Sequence, residues 1–236
     1  MVQENLSEEI IPAVLPQSIE DLREKVALVA KLVPVVQIDV CDGDLTPEAS
    51  WPYNGDNAGF EKILSEDDGL PFWDVVNFEI DLMVRDPEDQ VEKWIGAGAQ
   101  RIVLHYESST PEILTQLFYD LKDRGIETSL AIHVETEAFV IDPLVHLLDE
   151  VQVMGIEEVG FQGEPFAEQV LPKIQEIRAK YPHLNIAVDG GVNLDTAEMI
   201  LDAGANRLVA GSAIFQNYDV EENLHAFEDL LYSNDQ

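Results

Sequence analysis

One cysteine, Cys41, is the only thiol in this 236-residue chain. An intrachain disulfide is therefore excluded, nothing points to an oxidising compartment, and a cytoplasmic setting is the expectation. Positive charge is scarce as well: 13 Lys and Arg face 47 Asp and Glu, a formal net charge of −34. A molecule so negative repels nucleic acid and anionic lipid at long range, so neither is an expected partner. Long apolar runs are missing too. The best, VALVAKLVPVV from Val26, is broken by Lys31 and Pro34 and falls well short of the roughly 20 residues that span a bilayer. The opening MVQENLSEEI is acidic where a secretory signal would be basic. There is no low-complexity tract and no strong internal repeat. Aromatic residues make up only 8% of the chain, but 46% of it is hydrophobic, which is ample for a core. The acidic residues are interleaved with Val, Ile, Leu and Ala, which argues against disorder. They read as a solvated shell suited to a salty interior, with a docking surface for a basic partner as the alternative.

Short β-branched runs alternate with segments of helical period. Strands are expected at EIIPAVL from Glu9, VPVVQIDV from Val33, VVNFEIDLMV from Val75, RIVLHYE from Arg101, ETSLAIHV from Glu127, EVQVMGI from Glu150, NIAVDGG from Asn185 and RLVAGSAIF from Arg207. Helices are expected over 18–32, 87–97, 111–124, 165–181, 194–204 and 220–232, with a weak one near 143–149. Ser18, Asp86-Pro87, Thr110-Pro111 and Asp142-Pro143 supply start signals. Eight apolar strands separated by amphipathic helices imply a parallel sheet covered on both faces, most economically a single closed (β/α)8 TIM barrel over residues 1–236. The long connection at about 44–74 carries Trp51, Tyr53, Phe60, Phe72 and Trp73. Placed after a strand, it reads as an ordinary second helix with an apolar plug or oligomer contact, the alternative being a lid or pocket wall. The final SNDQ is expected to fray.

Acidic residues fall at or near strand ends: Asp39, Asp42, Asp81, Glu107 and Asp189. Two carboxylates facing a substrate carbon from opposite sides can remove a proton on one face and return one to the other, as epimerisation beside a carbonyl requires. Such carbon acids are weak, so an electrophile such as a divalent metal is expected to assist. Glycine-rich turns follow the last three strands: GFQGEPF from Gly160, DGG at 189–191 and AGSAIF from Ala210. That is where barrels bind phosphate through backbone N–H groups, so a phosphorylated substrate is expected. These turns hold no Lys or Arg, which leaves the work to backbone amides and makes added salt important. His105 and His133 fall at the ends of strands four and five and read as imidazoles satisfied by carboxylates. Cys41 reads as a small core residue.

Together these segments resemble the ribulose-phosphate 3-epimerase family over nearly the whole chain. VQIDVCDGDLTP is similar to the family's H-x-D-V-M-D-G-x-F-V-P, FEIDLMVRDP to its H-L-M motif, and AGAQRIVLHYE to A-G-A-D-x-I-x-x-H-x-E. VQVMGIEEVGFQGEPF resembles M-T-V-x-P-G-F-G-G-Q-x-F with one residue inserted, and IAVDGGVN and AGANRLVAGSAIF match the last two motifs. The resemblance implies an isomerase that epimerises a ketose phosphate, with Asp39 and Asp189 as acid and base and Met83 and Met154 lining the reaction plane. It implies phosphate binding at Gly160, Gly163, Gly190, Gly191, Gly211 and Ser212.

The chain departs from the family at its metal site, where Gln37 and Asp81 replace two histidines. Ala13 replaces the usual Ser, and Cys41 replaces a Met. A site of Gln37, Asp39, Asp81 and Asp189 is all oxygen and suits Mg²⁺ or Mn²⁺ better than Zn²⁺, with loss of the metal as the alternative. Retention of both aspartates favours the epimerase. The replacements favour its rivals, an aldolase or decarboxylase barrel or a non-catalytic phosphosugar-binding scaffold. Self-association is left open.

Overall fold

The computed structural model describes residues 6–216 and 219–234. In chain order its elements are β1 (Glu9–Val14), α1 (Ile19–Val29), β2 (Val35–Cys41), α2 (Ala58–Leu64), β3 (Asn77–Met83), α3 (Glu88–Gly96), β4 (Arg101–His105) and α4 (Pro111–Asp123). These are followed by β5 (Glu127–Ile132), β6 (Glu150–Met154), α5 (Leu171–Lys180), β7 (Asn185–Asp189), α6 (Leu194–Asp202), β8 (Arg207–Ala210), α7 (Ser212–Phe215) and α8 (Val220–Asn234). Each strand pairs in parallel with the next and β8 returns to β1, closing the barrel. The expected fold is the observed one.

Local chemistry sets the helix starts. The Ser18 side chain accepts from the Asp21 N–H, Thr110 caps α4 ahead of Pro111, and Asn193 and Thr196 form a reciprocal capping box on α6. The helices turn apolar stripes inward, such as Leu114, Leu117, Phe118 and Leu121 of α4. These stripes meet the outward strand residues Val36, Ile38, Val40, Phe78, Ile80 and Leu82, all fully buried. The main hydrophobic layer therefore lies between helices and sheet. The alternate strand residues face into the barrel, and many of them are polar.

The 44–74 connection takes the form of a second helix with an apolar plug. It contains α2, and the Trp51 and Phe60 rings pack edge-on at 5.6 Å, with Phe60 4.6 Å from the buried ring of Trp94. Apolar area drew these rings into the helix layer instead of over the pocket. Of the expected strand RLVAGSAIF, β8 takes only Arg207–Ala210, and the chain turns at Gly211 into the short helix α7. The weak helix near 143–149 is a 3-10 turn at Val145–Leu147, preceded by another at Ala138–Ile141. Pro143 between them has no N–H with which to continue a helix. The helix expected over 165–181 begins at Leu171, after a 3-10 turn. Of the expected frayed tail, Ser233 and Asn234 continue α8, while 235–236 lie outside the described residues.

The barrel floor is an ion network. Glu79 Oε2 accepts from Arg207 at 2.8 Å and from Arg101 at 2.9 Å. Glu150 Oε2 accepts from Arg207 and, at 3.3 Å, from Arg101, while Ser129 donates to its other oxygen at 2.9 Å. Glu79, Glu150 and Arg207 are all buried. Burial pushes the glutamates up, Glu79 to about 6 and Glu150 to about 8, against the pull of Arg101. Removing one cation from such a network leaves uncompensated buried charge. Arg207→Leu is expected to destabilise the protein by about 3–5 kcal/mol at alkaline pH, and by less at pH values where the orphaned glutamates take up protons; urea unfolding across pH measures both.

Candidate active site

The β2–β3 register sets Asp39 beside Asp81, and the β6–β7 register sets Met154 beside Asp189. Side chains two residues apart on a strand share a face, so Gln37 and Asp39 project inward together. Asp39, Asp81 and Asp189 each offer an oxygen within 4.8 Å of the others. Asp39 and Asp81 are buried, and Asp189 opens partly to a pocket. The Gln37 Nε2 bridges two of them, donating to Asp39 Oδ1 at 2.8 Å and to Asp189 Oδ2 at 2.7 Å. Asp81 is held by the His105 Nε2 at 2.7 Å and by the Gln152 Nε2 at 3.1 Å.

Burial raises the carboxyl of Asp39 to about 7, reinforced by the charge of Asp81 and opposed by the Gln37 hydrogen bond. Asp189 is also raised well above the carboxylate range, by burial and then by Asp39 and Asp81. For His105, burial disfavours the imidazolium, but the charge and hydrogen bond of Asp81, together with the charges of Glu107 and Asp39, outweigh it and the net shift is upward. A proton shared between Asp39 and Asp189, or a cation among the three, relieves the like-charge crowding. The donor set fits a hard divalent cation: three carboxylates, with the buried Oε1 of Gln37 lacking any hydrogen-bond donor.

Next to the carboxylates lies a small pocket open to solvent. It is lined by Ala13, Asp39, Met83, Met154 and Asp189, and by the turns that carry Gly160, Gly163, Gly190, Gly191, Gly211 and Ser212. Every residue expected in the phosphate cup or on the reaction plane lines this one space. The 155–167 segment is tied back by the Gly155 N–H to the Asp189 carbonyl at 2.6 Å and the Ala167 N–H to the Gly155 carbonyl at 2.7 Å. Gly191, at φ +70°, leaves no room for a Cβ, which would lie 2.5 Å from the Phe166 Cα. Two glycine turns can thus close on one volume. Gln162 reaches across the cup and donates to the Ala13 carbonyl at 3.3 Å.

The family model for the ribulose-phosphate 3-epimerase family matches residues 9–215. The chain belongs to this family. It is 39% identical over 145 residues to a ribulose-phosphate 3-epimerase of Schizosaccharomyces pombe, covering 61% of this chain and 62% of that one. It is 28% identical over 218 residues to the chloroplastic ribulose-5-phosphate-3-epimerase of Arabidopsis thaliana, covering 90% and 73%. The match to the yeast relative thus spans about three fifths of that protein's length. Among solved structures, the 3-hexulose-6-phosphate synthase of Salmonella typhimurium superposes with a TM-score of 0.68 at 15% identity, covering 95% of this chain and 99% of that one. The orotidine 5'-monophosphate decarboxylase of Sulfolobus solfataricus gives 0.62 at 16% identity, covering 98% and 100%. These two likenesses show the fold.

Sequence reading missed Gln152, although its spacing from Met154 already placed both on the inward face of one strand. It placed His105 with carboxylates without naming Asp81 as the partner. His133 lies aside, its Nε2 donating to the Glu157 carbonyl at 2.8 Å. Cys41 is a buried core thiol, pushed up to about 12 by burial. Glu107 accepts from the His133 N–H and from the Thr136 hydroxyl, outside the cluster. Asp42 accepts from the backbone of Asp44, Leu45 and Arg85. No helix among the described residues is long and apolar enough to cross a membrane.

Because Asp39 is raised in the folded state, it contributes stability below the ordinary carboxylate range that is lost as pH climbs to about 7. In chelator-treated protein the unfolding free energy is expected to fall on the order of 4 kcal/mol over that window. Asp39→Asn is expected to flatten the slope. Urea unfolding at a series of pH values checks this; stability that rises with pH in that window contradicts it.

Proposed function

We propose that the chain is an isomerase that epimerises a ketose phosphate at the carbon next to the carbonyl, as its curated relatives' names suggest. The observation that carries the reading is the pairing of Asp39 and Asp189. They are bridged by one amide at the edge of a glycine-walled cup, and burial raises both, Asp39 to about 7 and Asp189 well above the carboxylate range, so the crowded pair favours holding one proton between them. An epimerase with two bases needs that unequal pair: the ionised carboxylate takes the proton from one face and the protonated one returns a proton to the other. The backbone N–H groups of the turns at 160–163, 190–191 and 211–212 bind the phosphate, and Met83 and Met154 keep water from the reacting plane. Turnover with ribulose and xylulose 5-phosphates is expected.

Asp39, Asp81 and Asp189, with Gln37, would hold a divalent cation, and an all-oxygen set favours Mg²⁺ or Mn²⁺ over Zn²⁺. Bound there, the cation would stabilise negative charge developing on the sugar oxygens. The pocket lining includes no lysine among the described residues, which gives no support to Schiff-base aldol chemistry. A cytoplasmic protein made of one barrel domain over residues 1–236 completes the reading, supported by the single buried thiol.

A coupled assay interconverting the two pentulose phosphates, run with Mg²⁺, Mn²⁺ and Zn²⁺ in turn, tests the function, and deuterium from solvent is expected at the epimerised carbon. Asp39→Asn and Asp189→Asn are each expected to lower kcat by about 10²–10⁴-fold with phosphosugar binding retained. Turnover that persists in both variants would remove the two-carboxylate mechanism. No turnover with any metal, together with unchanged phosphosugar binding in Asp39→Asn, would turn the reading to a binding protein. In calorimetry, Asp81→Ala is expected to abolish or sharply weaken cation binding.

A further inference from the structure

Gln152 lies on β6 at the cluster, fully buried, and only half of its amide is satisfied. Its Nε2 donates to Asp81 Oδ2 at 3.1 Å and to Asp189 Oδ2 at 3.4 Å, and lies 3.6 Å from the Met154 sulfur. Its Oε1 is buried and accepts nothing. Gln37 repeats the asymmetry: its Nε2 bridges Asp39 and Asp189 while its Oε1 is buried without a donor. A buried carbonyl oxygen left unpaired carries its full desolvation penalty, and an apolar side chain at either position would avoid that cost. Two unpaired amide oxygens beside three carboxylates therefore share one deficit, which is positive charge.

The two ends of an amide are nearly equal in size, so a half-turn about the last side-chain bond exchanges N–H for C=O without repacking. With the protein alone, the N–H must face the carboxylates, as it does at both glutamines. With a cation among the carboxylates, the carbonyl oxygen is the end that gains by facing inward.

We propose that Gln152 supplies an oxygen to a hard divalent cation held by Asp39, Asp81, Asp189 and Gln37. The two amides bind the carboxylates together when the cation is absent and present their oxygens when it enters. This rests on the metal reading above and extends it to a residue on a strand that had no part in it. An additional neutral oxygen raises the coordination number without adding charge to an already crowded site, and it favours Mg²⁺ and Mn²⁺ over the lower coordination and softer ligands of Zn²⁺.

The test is calorimetric titration of the full, chelator-treated chain with Mg²⁺, Mn²⁺ and Zn²⁺ in the wild type, Gln152→Leu and Gln152→Glu, with the metal-induced rise in Tm recorded beside it. Gln152→Leu is expected to weaken Mg²⁺ and Mn²⁺ by about 10-fold or more, to weaken Zn²⁺ less, and to shrink the Tm rise. Gln152→Glu is expected to tighten both hard cations. If the wild type binds no divalent cation, the metal reading falls and takes this inference with it. If the wild type binds while folded Gln152→Leu stays within about twofold of it, or loses Zn²⁺ as much as Mg²⁺, the role of Gln152 is overturned and the metal reading stands. Should Gln152→Leu fail to fold, Gln152→Glu decides, and affinity no tighter than wild type overturns the assignment.

Discussion

Charge buried inside the barrel has to be compensated there, and most of what is distinctive about this molecule follows from that constraint. The floor satisfies it with side chains of both signs, Arg101 and Arg207 against Glu79 and Glu150. Immediately above, Asp39, Asp81 and Asp189 converge, and among the described residues no arginine or lysine hydrogen-bonds to them. What they have is a histidine and two amides, which reduce the repulsion without removing it. The remainder has to come from a proton or a cation, and both are agents of catalysis. A site fully neutralised by its own side chains would have no reason to bind either.

The architecture can carry so polar an interior because its stability lies elsewhere. The outward faces of β2 and β3 are uninterrupted apolar surface covered by helices, and the Trp51, Phe60 and Trp94 cluster fills the space beside α2 and α3. Parallel strands covered in this way do not depend on which residues point into the barrel. Positions 37, 79, 81, 150 and 152 can then be Gln, Glu, Asp, Glu and Gln, provided that their hydrogen bonds close locally.

The acidity of the whole molecule sets a second condition on the pocket. In the proposed reading an anionic ligand approaches a chain of net charge −34 against a repulsive field, and the glycine turns that would meet it carry no basic side chain. Backbone N–H groups can do this work only if they are held at close and fixed positions. The contact of Gly191 with the Phe166 backbone and the ties between Gly155, Asp189 and Ala167 hold them there. In that reading backbone geometry would supply the positive end of the interaction, and salt that screens the long-range repulsion would assist it.

The order of eight strands, the capped helices and the glycine turns after the last three strands were legible in the sequence, because period-two and period-3.6 patterning and turn chemistry are local properties. The family motifs carried Asp39, Asp189 and the cup residues with them, and the replacements at Gln37 and Asp81 were visible as letters. Other features depended on residues far apart in sequence. That Trp51 and Phe60 would fill the helix layer and not cover the pocket was settled by the position of Trp94, which no local pattern reveals. That β8 would stop at Ala210 and the 143–149 segment would coil into a 3-10 turn was set by barrel closure and by Pro143 against weak local preference. Gln152 read as one polar letter in an apolar strand. Only barrel closure, which brings β6 across from β2 and beside β7, set its amide against Asp81 and Asp189, because a carboxylate's surroundings are fixed by whatever the fold brings within a few ångströms of it.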